Sequence, residues 1–372
     1  MARALLCLAH ATGSGAVGHT LSRSVGIFFL TIGIAATYSG PAGAQRAAFG
    51  TYTITDIGTL GGESSEASGL NNLGDVVGVA TTSEGASHAF LYRNGQIVDL
   101  GMLPGGSASY ATAINDRGDV VGYGGINAYG PQFHEFTQGF VWQDGAMRAL
   151  GALYCPCSFN VRYGTSRAFA LSNAGWVVGD SQTNRQTFRG AFVWQDSAMR
   201  GVDFDPAHPG DSHGYGINDI HEVVGDANSH AFLARDGISR DLGVLPGYVT
   251  SRARAVNNKG QAVGSSTNDA GIARAFLWDL GRMYDIGTLP GDTASEAVAI
   301  NVNGESVGRS GDADFGRSRA VLWRDGMAID LSRFVAASGW TFSSATGIND
   351  FGQIVGVGAR DGQVRAFLLT PR

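Results

Sequence analysis

The sequence predicts an all-β protein, a single seven-bladed β-propeller whose blades are four-stranded antiparallel sheets. Three observations lead to this fold class. One short motif recurs seven times at intervals of roughly 44 residues. Two further motifs follow the copies in a fixed order. The chain also contains 56 glycines in 372 residues without a collagen-like period, which indicates many tight turns between short strands.

The first motif reads aliphatic–Asn–x–x–Gly–x–Val–Val–Gly in its clearest copies. Asparagine suits the start of a turn because its side chain caps the turn, and glycine supplies the positive φ at the end. The motif therefore predicts a first strand before the asparagine, a turn, and a second strand at Val-Val-Gly. The seven copies are Leu70–Gly78, Ile114–Gly122, Leu171–Gly179, Ile217–Gly225, Val256–Gly264, Ile300–Gly308 and Ile348–Gly356, with Ser172 in place of asparagine in the third.

The second motif, Ala-Phe-Leu-Trp in its typical form, predicts a third strand. It occurs at His88–Tyr92, Gly139–Trp142, Gly190–Trp194, His230–Leu233, Arg274–Trp278, Arg319–Trp323 and Arg365–Leu369. The third motif, Asp–aliphatic–Gly–x–Leu–Pro–Gly, ends a fourth strand. It is clear at Asp99–Gly105, Asp241–Gly247 and Asp285–Gly291, and weaker at Asp56–Gly61, Ala149–Leu153, Asp203–Pro206 and Asp330–Ser332. Three successive hairpins then give a four-stranded meander.

Two features favour a closed ring of stacked blades over an open sheet or a linear solenoid. Ala-Phe-Leu-Trp and Val-Val do not alternate with polar residues, so both faces of each sheet are expected to be covered. After the proposed signal segment, the chain continues with a lone fourth-type strand, Tyr52–Ile57, and it ends soon after a third-type strand, Ala366–Leu369. We therefore expect the N-terminal strand to complete the last blade, which removes the exposed sheet edges at the seam.

These repeated residues resemble the HAF-type family of bacterial extracellular repeat proteins, named for the tripeptide seen at His88–Phe90 and His230–Phe232. The resemblance covers residues 52–369 and departs in the last three copies, where arginine replaces the histidine. It implies export and a β-rich fold. It implies no catalytic residue, because the family is defined by its repeat alone.

The N-terminal segment is typical of an export signal. Arg23 precedes the apolar run Val25–Ala36, and Ala42–Ala44 matches an A-x-A cleavage site. We expect a signal peptide at 1–44 and one propeller domain at 45–372. The alternative is a membrane anchor, although 12 apolar residues are few for a span. The mature protein is expected to be a monomer outside the cytoplasm, periplasmic or extracellular, without stable membrane insertion.

Charge and motifs exclude several function classes. Removing residues 1–44 removes Arg3 and Arg23 but no acidic residue, so the net charge goes from −6 to −8. Without a Lys/Arg cluster, nucleic acid is excluded as an expected partner. The nucleophile elbow G-x-S-x-G, H-E-x-x-H, the P-loop and the dinucleotide fingerprint do not occur. We assign no catalytic residue, no cofactor and no metal from the sequence.

Most conspicuous polar residues belong to the repeat and are expected to be structural. The asparagines of the first motif cap turns, and the aspartates of the third motif bind backbone amides at the end of the fourth strand. His88 and His230 are interpreted as polar residues at a strand edge. Repetition around a ring does not bring two carboxylates together as a glycosidase requires.

Residues that break the repeat are better candidates for chemistry. Three insertions do so: Tyr123–Gln138, with His134 and Glu135; Tyr154–Tyr163, with Cys155 and Cys157; and Asp205–His213, with His208, Asp211 and His213. The two cysteines are consistent with a small-ring disulfide, two thiols or a metal ligand pair. Asp312–Gly316 is similar to the start of a calcium loop but lacks further carboxylates.

Three functions remain open. The sequence favours a non-catalytic exported propeller that binds a cell-surface polysaccharide or another exported protein. The alternative is a carbohydrate-active enzyme with its site at the mouth of the channel. A lectin with one equivalent site in each blade is disfavoured because the loops between second and third strands share neither length nor residues.

Overall fold

The computed structural model describes residues 50–126, 136–153, 164–182, 189–202, 211–335 and 338–372. These residues form 28 strands in seven four-stranded antiparallel sheets. In chain order the strands are β1 (Tyr52–Asp56), β2 (Gly61–Leu70), β3 (Val76–Thr82), β4 (Ser87–Arg93), β5 (Gln96–Asp99), β6 (Ser109–Ile114), β7 (Val120–Ile126), β8 (Phe136–Gln143), β9 (Ala146–Gly151), β10 (Thr165–Leu171), β11 (Val177–Gln182), β12 (Gly190–Gln195), β13 (Ala198–Gly201), β14 (Ser212–Ile217), β15 (Val223–Ala227), β16 (His230–Arg235), β17 (Ile238–Gly243), β18 (Thr250–Val256), β19 (Ala262–Thr267), β20 (Ala273–Asp279), β21 (Arg282–Asp285), β22 (Ala294–Ile300), β23 (Ser306–Gly311), β24 (Ser318–Arg324), β25 (Met327–Asp330), β26 (Trp340–Ile348), β27 (Ile354–Arg360) and β28 (Gln363–Pro371).

The predicted seven-bladed propeller is confirmed, including its closure. Blades one to six each consist of four consecutive strands, from β2–β5 through β22–β25. The seventh blade has the order β26–β27–β28–β1, so the N-terminal strand Tyr52–Asp56 completes the last blade. Thr53 lies opposite Thr370 and Thr55 opposite Leu368 in this antiparallel pair. Closure leaves β28 with a partner on both sides.

The first strands of the blades form an inner ring. Each first strand contacts the first strand of the next blade, and β26 contacts β2 across the seam, so these seven strands surround the axis. Their small residues permit this crowding: Ala67, Ala111 and Ala253 are almost fully buried. The outer strands β5, β13 and β21 are largely exposed.

The core lies between blades, as the non-alternating strands predict. The third strand buries a phenylalanine in six blades and a valine in the sixth blade. In blade order these residues are Phe90, Phe140, Phe192, Phe232, Phe276, Val321 and Phe367. One apolar cluster joins Val77 and Leu91 of the first blade to Ile114 and Phe140 of the second. Equivalent clusters join other neighbouring blades. Burial on both faces of each sheet thus stabilises the stack.

A buried serine near the start of the first strand links neighbouring blades in six of the seven cases. Ser109 Oγ accepts a hydrogen bond of 2.8 Å from Ala89 N of the preceding blade and donates one of 2.6 Å to Gly101 O. The blade-linking serines are Ser65, Ser109, Ser166, Ser212, Ser251 and Ser295. In the seventh blade Phe342 is buried instead, against the short 3₁₀ turn Leu331–Phe334.

Among the described residues, we find no helix with the length and apolar character that a membrane crossing requires. The proposed signal segment lies outside the described residues.

Candidate functional site: the wall of the axial channel

All seven first strands share the pattern Ser–X–small–Y–small–aliphatic, and the motif asparagine or Ser172 follows. In the seventh blade the serine of the pattern, Ser343, is exposed. The serine, the small residues and the aliphatic residue repeat from blade to blade, whereas X and Y change in charge, size and polarity. We call these the two variable positions of the inner ring. In blade order, X is Glu66, Tyr110, Arg167, His213, Arg252, Glu296 and Ser344, and Y is Ser68, Thr112, Phe169, Tyr215, Arg254, Val298 and Thr346.

Position Y coincides with a β-bulge in every blade. The register of the first strand against the second shifts across this residue, for example between Gly214 and Gly216 around Tyr215. The other six blades show the same shift. A bulge leaves its extra residue outside the hydrogen-bonded ladder and redirects its side chain. Thr112 and Thr346 use this freedom to donate hydrogen bonds to carbonyl oxygens of the next blade, at 3.0 and 2.8 Å.

Blades three to six bring charged residues together at the inner ring. We call this set the axial cluster; its members are Arg167, Asp180, Arg189, His213, Tyr215, Asp226, Arg252, Arg254, Glu296 and Arg309. Most come from X, from Y, or from the second-strand position that lies opposite X, as the pairings of Arg167 with Asp180 and Glu296 with Arg309 show. The cluster therefore combines residues from four successive blades, and these residues are spread over the sequence from Arg167 to Arg309.

Each carboxylate inside the axial cluster is paired with an arginine. Asp180, fully buried, contacts Arg189 at 3.0 Å and Arg167 at 3.3 Å. The other two pairs join Arg252 Nε to Asp226 at 3.1 Å and Arg309 Nη2 to Glu296 at 2.7 Å.

His213 lies between two of these carboxylates. Its Nδ1 is 3.5 Å from Asp226 Oδ1, and its Nε2 is 3.7 Å from Asp180 Oδ2. Both distances exceed those of normal hydrogen bonds. The imidazole is thus held beside two carboxylates without being fully engaged by either.

Tyr215 is the centre of an aromatic and cationic stack. His213 stacks on it with ring centroids 5.6 Å apart, and Phe169 approaches to 5.3 Å. The guanidinium groups of Arg252 and Arg254 lie 5.5 and 4.7 Å from its ring centroid. Such cation–π contacts are strongest when desolvated.

Burial sets the electrostatics of this stack. Burial raises the pKa of Tyr215 to about 12, with a further contribution from the charge of Asp226. Burial also acts to raise the pKa of Asp226, but contacts with His213, Arg252 and Tyr215 outweigh it and hold that pKa below its usual range. Burial lowers the pKa of Arg254, and the charge of Arg252 lowers it further. Asp226 is therefore an anion and Tyr215 a neutral phenol at neutral pH.

Two cavities open on the channel wall. One of about 410 Å³ is bounded by X residues of blades four to six and by Asp211 and Asn228. A second of about 390 Å³ lies at blades one and two, where Tyr110 and Tyr123 stack with centroids 5.3 Å apart. Both have the size of ordinary small-ligand sites. Both lie where second strands end and first strands begin, at the opposite end from the asparagine turns.

The structure confirms the capping role of the motif asparagines and adds a second one. Asn71 Oδ1 accepts hydrogen bonds from the amides of Leu73 and Asp75. Its Nδ2 donates to Asn115 O of the next blade at 3.0 Å. The same inter-blade bond recurs around the ring and crosses the seam from Asn349 to Asn71. Ser172 has no amide group with which to make it.

The aspartates of the third motif also behave as predicted. Asp99 Oδ1 accepts from Gly101 N at 2.7 Å, and Asp56, Asp241, Asp285 and Asp330 make the same bond. The second carboxylate oxygen of these aspartates, Oδ2, contacts the side chain that begins the third strand in four blades, at Asp99, Asp241, Asp285 and Asp330.

His88 and His230 are more than polar edge residues. His88 Nδ1 lies 2.8 Å from Asp99 Oδ2, and His230 Nδ1 lies 2.9 Å from Asp241 Oδ2. In later blades Arg274 and Arg319 contact Asp285 and Asp330 in the same way. Either histidine or arginine can therefore occupy this position, because both can donate a hydrogen bond to the same carboxylate.

The repeat-breaking candidates fall mostly outside the described residues. His134, Glu135, His208 and the Cys155–Cys157 segment are among these. Asp211 and His213 are described, and both line the first cavity. His213 proves to be an X residue of β14 instead of part of an insertion. The aspartates of the Asp312–Gly316 loop accept backbone hydrogen bonds from Arg317 and Gly316.

The sequence interpretation missed most of the axial cluster. Its members carry no motif, and they come from different repeats. One feature of the sequence could have pointed to them. X and Y are the two positions at which the first strands differ, whereas the other positions of the strand repeat from blade to blade.

Comparison with known proteins gives a likeness in fold. No protein-family model matches the chain, and no curated protein matches it. Among solved structures, YCF48 bound to D1 peptide has a TM-score of 0.50 at 11% identity, covering 87% of this chain and 96% of that one. A puromycin-hydrolyzing peptidase of Mycobacterium tuberculosis has a TM-score of 0.49 at 13% identity, covering 87% of this chain. An acylaminoacyl peptidase of Pyrococcus horikoshii has a TM-score of 0.46 at 10% identity, covering 77% of this chain.

This chain spans about half of the length of each peptidase, 54% and 49%. At such identities the likeness concerns the fold alone, and the chain is similar in architecture to these proteins.

Proposed function

We propose that the protein is an exported, non-catalytic binding propeller of the HAF-repeat type. Its ligand, a cell-surface glycan or another exported protein, enters the axial channel at the end where the two cavities open. The observation that carries this proposal is the contrast within the inner strand: the scaffold positions repeat, whereas no two blades have the same combination of X and Y. Seven blades thus build one asymmetric wall, which suits one ligand instead of seven equivalent ones.

The charged pairs favour binding over hydrolysis. A glycosidase of the usual kind needs one carboxylic acid that stays protonated, with a raised pKa, beside a second carboxylate. Asp226 has a lowered pKa, and Asp180 and Glu296 are each paired with arginine. Each of these carboxylates is thus bound by an arginine, and the pKa of Asp226 is shifted in the direction opposite to that of such an acid.

A protein ligand remains the second partner class. The solved YCF48 structure has the D1 peptide bound. That observation belongs to YCF48, and at 11% identity it supports the proposal only as an example of one protein of this fold that binds a peptide.

The first experiment screens residues 45–372 on a glycan array, with a hydrolase panel and a pull-down of exported proteins run beside it. We expect a bound glycan or protein and no turnover. The double variant H213A/R252A is expected to lose the binding, because both side chains line the first cavity. The variant R282A, on the exposed outer strand β21, is the matched control. Turnover in the panel, or binding that H213A/R252A leaves intact, would contradict the proposal.

Export has its own test. The full chain is expressed in a bacterium, the cell is fractionated, and the mature N-terminus is sequenced. We expect a chain that begins at Gln45 in the periplasm or the medium. An intact Met1–Ala44 segment in the membrane fraction would instead support the anchor.

A further inference from the structure

We propose that the ligand is an acidic polysaccharide built from uronic acid residues, and that Arg254 binds one of its carboxylates. This inference rests on the proposed binding function and names the ligand class of the same site. It is carried by one cation of the axial cluster that has no hydrogen-bonded counter-ion within the described part of the chain, and by the polar lining of the first cavity, which Arg252 of the same strand borders.

Arg254 is the arginine of the axial cluster that has no carboxylate partner at hydrogen-bonding distance in the described ranges. Asp180, Asp226 and Glu296 are each matched by an arginine of their own. Among the residues that the structure describes, Arg254 has no hydrogen bond or ion pair; its one close interaction is with the ring of Tyr215. A half-buried guanidinium without a carboxylate is costly, since the charge loses water without gaining a counter-ion. A ligand carboxylate would supply that counter-ion.

Arg254 is also held ready for such a ligand. Its position on a bulge frees it from the regular side-chain alternation of the strand, and its guanidinium carbon lies over the Tyr215 ring, 4.7 Å from the centroid. Guanidinium binds carboxylate through two parallel hydrogen bonds, so a ligand carboxylate would offset the cost of removing this charge from water. Because Arg252, the nearest other cation of the strand, is paired with Asp226, the incoming anion is directed to Arg254.

The cavity favours a saccharide over a peptide. A peptide site usually contains an apolar pocket for an anchoring side chain. The uncharged residues that line the first cavity are all hydroxyl or amide side chains: Asn228, Ser229, Thr250, Ser251, Ser265 and Thr267. Such groups match the hydroxyls of a sugar. The ionisable residues of the lining are Asp211, His213, Asp226, Arg252 and Glu296, and Arg254 lies next to this lining, two residues after Arg252. The stacked pair Tyr110 and Tyr123 in the second cavity gives an aromatic surface where a longer saccharide would continue.

The test compares three probes by calorimetry with residues 45–372. They are a galacturonic acid tetramer, its fully methyl-esterified form, and an oligoglutamate peptide. The ester keeps the sugar rings and removes the charge, whereas the peptide keeps the charge and removes the sugar. We expect the acid tetramer to bind at least about tenfold more tightly than either of the others.

Variants assign the charge to one residue. R254Q is expected to weaken the acid tetramer by about tenfold or more and to leave the ester unchanged. R282Q on the outer strand β21 is the control that removes an equal charge. R254K retains the positive charge, so we expect it to keep part of the preference for the acid tetramer over the ester. This variant keeps the test informative if R254Q does not fold.

Each outcome decides the inference. Equal affinity for acid and ester, or an acid affinity that R254Q leaves unchanged, overturns the carboxylate assignment while glycan binding stands. Preference for oligoglutamate overturns the saccharide and supports a protein ligand. Failure of all three probes overturns the ligand class, and the glycan array and pull-down then decide separately whether the protein binds anything.

Discussion

At the scale of single residues, the closing glycine of Val-Val-Gly has a role that the sequence motif does not reveal. It lies inside the second strand, opposite the bulged first strand. A Cβ at Gly122 would collide with Tyr110 O and with the ring of Phe140. The other six copies meet the equivalent carbonyl oxygen, and four of them also meet the ring: Gly78, Gly179, Gly225 and Gly356. Glycine recurs because the bulge brings the backbone of the first strand too close for any side chain.

This argument predicts the effect of adding one methyl group. Gly122→Ala should lower the free energy of unfolding by about 1–3 kcal/mol, because rigid backbone and a packed ring must move. Gly201→Ala is the control: Gly201 also lies in a strand, has no positive φ, and has open space around it. Urea unfolding followed by fluorescence gives both values. Equal stability of the two variants would show that the bulge adapts easily.

At the scale of the element, the inner strand combines a uniform scaffold with two free positions. The blade-linking serine holds its start, the bulge redirects its middle, and the asparagine fixes its end to the next blade. X and Y are thus presented at fixed positions regardless of their chemistry. This arrangement explains how Arg254 and Tyr215 replace Thr112 at the same site without a change of fold.

The serine link is testable in one blade. Ser251→Ala removes the acceptor of Ala231 N and the donor to Gly243 O, and it leaves a buried amide without a partner. We expect a loss of about 1–3 kcal/mol in the free energy of unfolding. Ser343→Ala is the control, since Ser343 is exposed in the blade where Phe342 occupies the core. If Ser251→Ala costs no more than Ser343→Ala, water replaces the hydroxyl and the link is dispensable.

The elements also show what could be predicted from the sequence and why the rest could not. Strand number, turns and closure were predictable because each depends on a local motif that recurs. The bulge was not, since small–Y–small also fits a regular strand with alternating faces. The axial cluster was not either: Asp180 and Arg189 become neighbours of His213 only when the blades stack, and stacking leaves no trace in local spacing.

At the scale of the whole molecule, the ring is closed by one hairpin-like seam. Tyr52 lies opposite Pro371, and Arg372 N donates to Thr51 O at 2.9 Å, so the two chain regions run beside each other. The asparagine ring crosses the same seam through Asn349 and Asn71. Since the channel wall includes X and Y residues from both sides, an open seam would alter the binding surface as well as the stability.

The seam can be opened and closed again by moving one strand. A chain that begins at Gly58 lacks β1, exposes the edge of β28 and uncovers the pocket of the buried Ile57 and Tyr52. We expect its Tm to fall by about 10 °C or more and its free edge to promote association, relative to a chain that begins at Gly50. The third chain carries residues 50–57 after Arg372, joined by an inserted Asn-Gly turn, so that β28 and β1 become a true hairpin. If closure alone matters, this permuted chain regains both the Tm and the monomeric elution of the parent. If the permuted chain regains neither the Tm nor the monomeric elution, residues 50–57 act through their covalent link to the first blade. The seam would then not be the element that holds the ring closed.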